Sequence, residues 1–118
     1  MKLSKLRHNP SIEIELTNAP GLFVTLASRD SSEVKKVTEK LVDRRLSMMK
    51  KGRTPTASDL EADTKATLTA AILALRDETG DGDPMVFSPE TVAELVEIPW
   101  VRRQLDDALG NDQLFFEN

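Results

Sequence analysis

Apolar and polar residues alternate over Ile12-Glu13-Ile14-Glu15-Leu16-Thr17, the period of a strand with one buried face. Asn18-Ala19-Pro20-Gly21 follows as turn chemistry, because Pro presets φ and Gly accepts a positive φ. Leu22 to Ala27 reads as a second strand, so 11–28 is predicted to form a β-hairpin. A lone hairpin is marginal in water, and this one needs helices or a partner against it.

Beyond Asp30 the period lengthens to that of a helix. Asp30 is a candidate cap, with Glu33 three residues on. Val34, Val37, Leu41, Leu46 and Met49 supply an apolar stripe, and Gly52 ends the segment before the linker Arg53-Thr54-Pro55-Thr56. Ser58 with Glu61 reads as a capping box. Leu60, Thr64, Leu68, Ala71, Ile72 and Leu75 then recur at three- and four-residue steps, predicting one long helix closed by Gly80. Ser88-Pro89 opens another helix with Val92, Leu95 and Val96 on its apolar side, and Pro99 stops it. Trp100 to Leu109 forms the last helix, with Val101, Leu105 and Leu109 on one stripe and Gly110 after it. The predicted class is mainly α: a small helical domain of about four helices with a short N-terminal β-hairpin. Within 1–118, residues 1–10 are expected to be a flexible arm, 30–110 the helical body and 111–118 an apolar tail.

Length and composition narrow this picture. At 118 residues the chain suits one domain with a modest core. It has no cysteine, which excludes disulfides and thiolate metal sites and fits a reducing compartment. No apolar run approaches the roughly 20 residues of a membrane span. The basic start, Met1 to Arg7, is followed by no apolar core of a secretory signal.

Charge is unevenly spread. Residues 1–58 carry 12 Lys and Arg against 6 Asp and Glu, whereas 59–118 carry 4 against 14. The basic half of one copy can therefore face the acidic half of another, and head-to-tail contacts of this kind build rings or spirals. Two solvated helix faces of unlike sign are the plainer reading.

Catalytic chemistry finds no footing. His8 is the only histidine, which excludes a multi-histidine metal site, and it sits in the polar arm rather than in the rigid, desolvated setting a general base needs. Asp81-Gly82-Asp83 resembles a calcium loop faintly, but the next alternate position is Met85, and a solvated acidic loop is the better reading. Asp106 and Asp107 are adjacent on a helix, so their carboxylates diverge. The five glycines stand singly, with no phosphate cradle. No catalytic residue, metal or cofactor is expected.

Interaction chemistry is richer. Leu114-Phe115-Phe116 is an apolar end that either clamps the chain's own core or meets another protein. With Trp100, Val101, Leu105 and Leu109 it makes a candidate partner-binding set, the alternative for Trp100 being a core position. Lys36, Lys40, Arg44 and Arg45, within the basic helix 33–53, are a candidate docking face. Nucleic acid is a poorer partner for that face, since the chain is acidic overall and no aromatic residue lies among the basic ones.

Two stretches carry a resemblance. Leu22-Phe23-Val24-Thr25-Leu26-Ala27-Ser28-Arg29-Asp30-Ser31 before a basic helix is one. Phe87-Ser88-Pro89-Glu90-Thr91-Val92-Ala93-Glu94-Leu95-Val96, then Pro99-Trp100-Val101-Arg102-Arg103-Gln104-Leu105 and Phe115-Phe116, is the other. Together they resemble the small tail-assembly chaperones of long-tailed double-stranded DNA phages, over most of the chain from about Leu22 onward. The resemblance implies a non-enzymatic, self-associating protein that keeps the tape-measure protein soluble in the host bacterial cytoplasm until tail tube subunits polymerise round it. It implies absence from the mature virion, and a longer form made by a ribosomal slip. Leu114-Phe115-Phe116 is compatible with a T-rich slippery run. The major tail tube protein and the longer form are further partners on this reading. The alternatives are a small nucleic-acid-binding regulator using helix 33–53 and a minor structural virion protein.

Overall fold

The computed structural model of the chain describes residues 9–116; the arm's first eight residues, His8 among them, and the last two lie outside the described residues. Strand β1 (Ser11–Glu15) pairs antiparallel with β2 (Leu22–Ala27), Ile14 opposite Val24 and Ile12 opposite Leu26. Helices α1 (Ser32–Lys50) and α2 (Ala57–Ala71) follow as an antiparallel pair. The chain then passes directly into strand β3 (Ile72–Asp77), which pairs antiparallel with the free edge of β2. Helices α3 (Pro89–Glu97), α4 (Pro99–Leu109) and α5 (Asp112–Phe116) complete the fold.

Strand β3 overturns the mainly helical expectation: the described residues form a mixed fold, five helices with a three-stranded antiparallel sheet in the order β1-β2-β3. The helical body expected over 30–110 is therefore interrupted. The spacing of Leu68, Ile72 and Leu75 fits a helix, but β2 decides the matter. Val24 and Leu26 are fully buried on it, and a strand buried in the core needs backbone partners along both edges. Ile72-Leu73-Ala74-Leu75 supplies the second edge, placing Leu75 opposite Val24 and Ile72 opposite Leu26, with a bulge between them at Leu73. No Gly or Pro marks the change of state; α2 ends where Ile72 adopts an extended backbone with ψ 114°. Gly80, expected to close a helix, takes a positive φ in the loop after β3.

The caps also sit elsewhere than the sequence patterns indicate. Ser31 rather than Asp30 caps α1, its hydroxyl accepting the Val34 N–H. Thr56 and Asp59, rather than Ser58 and Glu61, form the capping box of α2. Ser88 caps α3 with Pro89 in its first turn.

One core joins the inner face of the sheet to α2, α3, α4 and α5. Leu16, Val24, Leu26, Leu68, Val92, Leu95, Val101, Leu105 and Phe115 lie in it. Polar ties hold the layers in register. The Gln104 side chain accepts the Thr17 N–H (3.0 Å) and donates to the Glu15 carbonyl (2.9 Å), fastening α4 to the hairpin turn. Arg102 donates to the Val96 carbonyl at the end of α3 (2.8 Å) and to Glu61 of α2 (2.8 Å). The Asn9 N–H donates to the Phe115 carbonyl, and Arg29 pairs with Asp112 at 2.7 Å, so α5 closes over the start of β1.

Gly21 turns the hairpin with φ +93°, and a Cβ there would stand 3.0 Å from the backbone of Glu78 and Thr79. Gly21→Ala meets both a disfavoured φ and a collision, and the expected loss of stability is about 1–3 kcal/mol. Thermal unfolding checks this; an unchanged midpoint would mean that the two backbones separate freely.

Candidate binding surface

Helix α1 is 19 residues long, yet only Val34 of it is buried. The molecule is correspondingly flat and extended, 51 × 45 × 20 Å. Its radius of gyration is 15.9 Å, against about 13–14 Å for a compact chain of this length. α1 leaves the core at Val34, and α2 rejoins the body from Glu61 onward, where Glu61 pairs with Arg102 of α4 and Lys65 with Glu97 of α3; the arm is the exposed end of the α1–α2 pair.

Helical spacing divides α1 into three stripes. Val34, Val37, Leu41, Arg45 and Met48 fall on the stripe toward α2. That orientation is fixed by Arg45, whose guanidinium donates to Asp63 (2.8 Å) and to the Asp59 carbonyl (3.0 Å). Lys36, Lys40 and Arg44 stand exposed on one flank with no ion pair among the described residues. Val42, Leu46 and Met49 form the other flank, 50%, 52% and 65% exposed.

This apolar flank is continuous with a cleft of about 420 Å³ at the base of the arm. Lys35, Thr38 and Glu39 line the cleft from the same side of α1, facing Asp106, Leu109 and Gly110 across Thr67 of α2. Leu60, 56% exposed, lies two turns before Thr67 on the same face of α2. The surface thus runs from a cleft beside the core to an apolar tip.

A second apolar exposure lies at the other end of the sheet. Residues 80–87 are all exposed, including Met85, Val86 and Phe87. The Asp77 carboxylate organises this loop: one oxygen accepts the Thr79 N–H (3.0 Å) and hydroxyl (2.7 Å), the other the Met85 N–H (2.8 Å). Those donors, the Thr79 hydroxyl foremost, hold the Asp77 carboxyl below its ordinary range.

On the outer face of the sheet, Arg76 stacks 3.9 Å over Phe23 and pairs with Glu13 and Glu78, each at 2.6 Å. Its hydrogen bond holds Glu13 below the ordinary carboxylate range. Among the described residues no group of three or more His, Asp or Glu side chains is placed to hold a metal ion, and no helix is long and apolar enough to cross a membrane.

The structure separates the residues that the sequence grouped as partner-binding. Val101, Leu105, Leu109 and Phe115 are buried in the core, so their stripe is the inner face of α4 and the anchor under β1. Trp100 is half-buried against that core, while Leu114 and Phe116 are exposed. Arg45 leaves the basic docking face for its carboxylate partner on α2. Val42, Leu60 and the Met85–Phe87 run were missed. The signal for the first was present: Leu46 and Met49 sit about a quarter-turn from Val34, Val37 and Leu41, so one helix face could not hold all five.

Comparison of the chain with protein-family models, with curated proteins and with solved structures gives no match.

The Asp77 carboxylate is lowered in the folded state. Its contribution is therefore complete above the ordinary value of 3.8 and lost as pH falls through the lowered value. The Thr79 and Met85 amide resonances are expected to titrate together in that acid range, and Asp77→Ala to abolish the shared titration. Independent movement of the two would mean that Asp77 does not organise the loop.

Proposed function

We propose that this chain is a non-enzymatic tail-assembly chaperone that solubilises the tape-measure protein of a long-tailed phage in the host cytoplasm, using the apolar flank of the α1–α2 arm. The observation carrying this reading is the uncovered stripe of Val42, Leu46 and Met49 beside Leu60. Side chains at four- and three-residue steps on a protruding helix pair suit an amphipathic client helix, laid along the arm as a third helix. Coating a long client needs many such modest contacts from repeated copies rather than one deep pocket. The residue pattern of 22–31 and 87–105 supports the family reading, since it resembles those chaperones. Self-association, the tail tube protein and a slipped longer form belong to the same proposal.

The basic flank favours one other reading. Lys36, Lys40 and Arg44 lie at four-residue steps in solvent, a spacing that suits phosphates and a small nucleic-acid-binding regulator. The two readings use opposite flanks of one helix and separate by mutation.

Co-expression with the tape-measure protein tests the first. Leu46→Asp with Met49→Asp is expected to weaken client binding at least tenfold and return the client to the insoluble fraction, since each exposed anchor contributes about 1–3 kcal/mol on burial. Lys36→Glu with Arg44→Glu is expected to leave it soluble. The reverse pattern, with salt-sensitive binding to duplex DNA, supports the regulator; retention of the chain in finished particles would make it a virion protein.

A further inference from the structure

The cleft beside the core is one end of a longer trough. Helix α2 meets α1 through Asp59 and Asp63, which hold Arg45, and meets α4 through Glu61, which holds Arg102. By helical spacing these contacts lie on opposite sides of α2. The stripe between them is Leu60, Thr64 and Thr67, at four- and three-residue steps. Thr67 lines the cleft of about 420 Å³ together with α1 and the end of α4. Thr64 lines a second cavity of about 230 Å³ with Pro99 and Arg103 of α4. Asp106 lines both, so the two cavities adjoin over α2.

The lining is less polar than its residue types suggest. The hydroxyls of Thr38, Thr64 and Thr67 donate to the carbonyls of Val34, Leu60 and Asp63, at 2.9, 3.2 and 2.9 Å. A threonine bonded back to its own helix offers a neighbour chiefly its methyl group. Buried Val34 and Leu109 add apolar surface in the cleft. Charge enters where Glu39 of α1 faces Asp106 of α4 across the cleft, both exposed and neither in an ion pair among the described residues. Arg29 is engaged by Asp112. Lys35 lies one turn before Glu39, the less favourable order for a helical pair, and no ion pair joins them among the described residues. Two carboxylates therefore stand against one uncommitted ammonium.

We propose that the trough over α2 seats an amphipathic helix whose apolar stripe is headed by a lysine or arginine, with that cation between Glu39 and Asp106. From Glu39, Val42, Leu46 and Met49 continue along α1 at three- and four-residue steps, about 15 Å by helical rise. The apolar residues of the occupant follow its cation at the same spacing, over about three turns. The cation supplies the ion pair that both carboxylates lack, and its alkyl stem covers the threonine methyls. A carboxylate at the same position would meet two like charges, so the seat also rejects. Glu39 and Asp106 thus select among client helices, a role that rests on the apolar flank being the client surface. Asp106 meets the occupant through its side chain, its amide lying within α4.

Two labelled synthetic peptides of roughly 18 residues, long enough to hold a helix, test the seat on the full chain. Both carry leucine at three- and four-residue steps; lysine heads that stripe in one and glutamate in the other. The lysine peptide is expected to bind about tenfold more tightly, with a preference that shrinks as salt is added. Glu39→Lys with Asp106→Lys is expected to invert the preference at an unchanged unfolding midpoint, since both side chains are exposed. Asp106→Asn alone is expected to reduce the preference, which separates a seat shared with α4 from one made by α1 alone. Leu46→Asp with Met49→Asp is expected to weaken both peptides alike. Equal binding of the two peptides, or a preference unmoved by the Glu39 and Asp106 variants, overturns the cation seat and leaves the apolar flank standing. Binding indifferent to Leu46→Asp with Met49→Asp, or no binding of either peptide, overturns the flank and the seat with it.

Discussion

The burial of β2 governs the rest of the molecule. Val24 and Leu26 are fully enclosed, so the strand carrying them needs a ladder on each edge and a helical cover on its inner face. β1 and β3 provide the ladders. Leu68 of α2, Leu95 of α3, Leu105 of α4 and Phe115 of α5 provide the cover. These demands take up most of the large apolar side chains of α2, α3 and α4. α1 contributes Val34 to the core and then leaves it, held to α2 chiefly through Val37, Leu41, Met48 and the Arg45–Asp63 pair. A partly buried ion pair of this kind orients two helices more than it stabilises them.

Much of this is legible in the residues. The β1–β2 hairpin follows from the alternation of Ile12 to Thr17, the turn chemistry of Asn18-Ala19-Pro20-Gly21 and the apolar run after it. Helix α3 follows from Ser88-Pro89, and α4 from Pro99 and the stripe of Val101, Leu105 and Leu109. What escapes is decided by non-local pairing. Ile72 to Leu75 satisfies helical spacing and strand register equally, and nothing within that segment records that β2 needs a second neighbour. The candidate site is harder for the same reason. An apolar stripe announces that it will be buried, not by what. The stripe of α4 is covered by the chain itself, whereas Leu46 and Met49 are covered by nothing within the described residues of the same chain. Phe115 and Phe116, adjacent and alike, divide between core and surface because α5 turns one of them under β1.

The charge asymmetry acquires a spatial meaning in this fold. Basic residues gather along the arm, and carboxylates gather on the loop at the far end of the sheet. Each sign edges an exposed apolar cluster. A small protein seldom leaves such clusters open without a partner for them. A long helical client laid along the arm is the partner proposed for its exposed apolar flank.

The most direct measurement is the amide hydrogen-exchange footprint of the tape-measure protein on the full chain. The expected result is slowed exchange along 38–60, the exposed side of the arm, with little change in β1 or in the buried helix α4. Protection confined to the outer face of the sheet or to 99–116, with the arm unaffected, would contradict the assignment of the arm as the working surface.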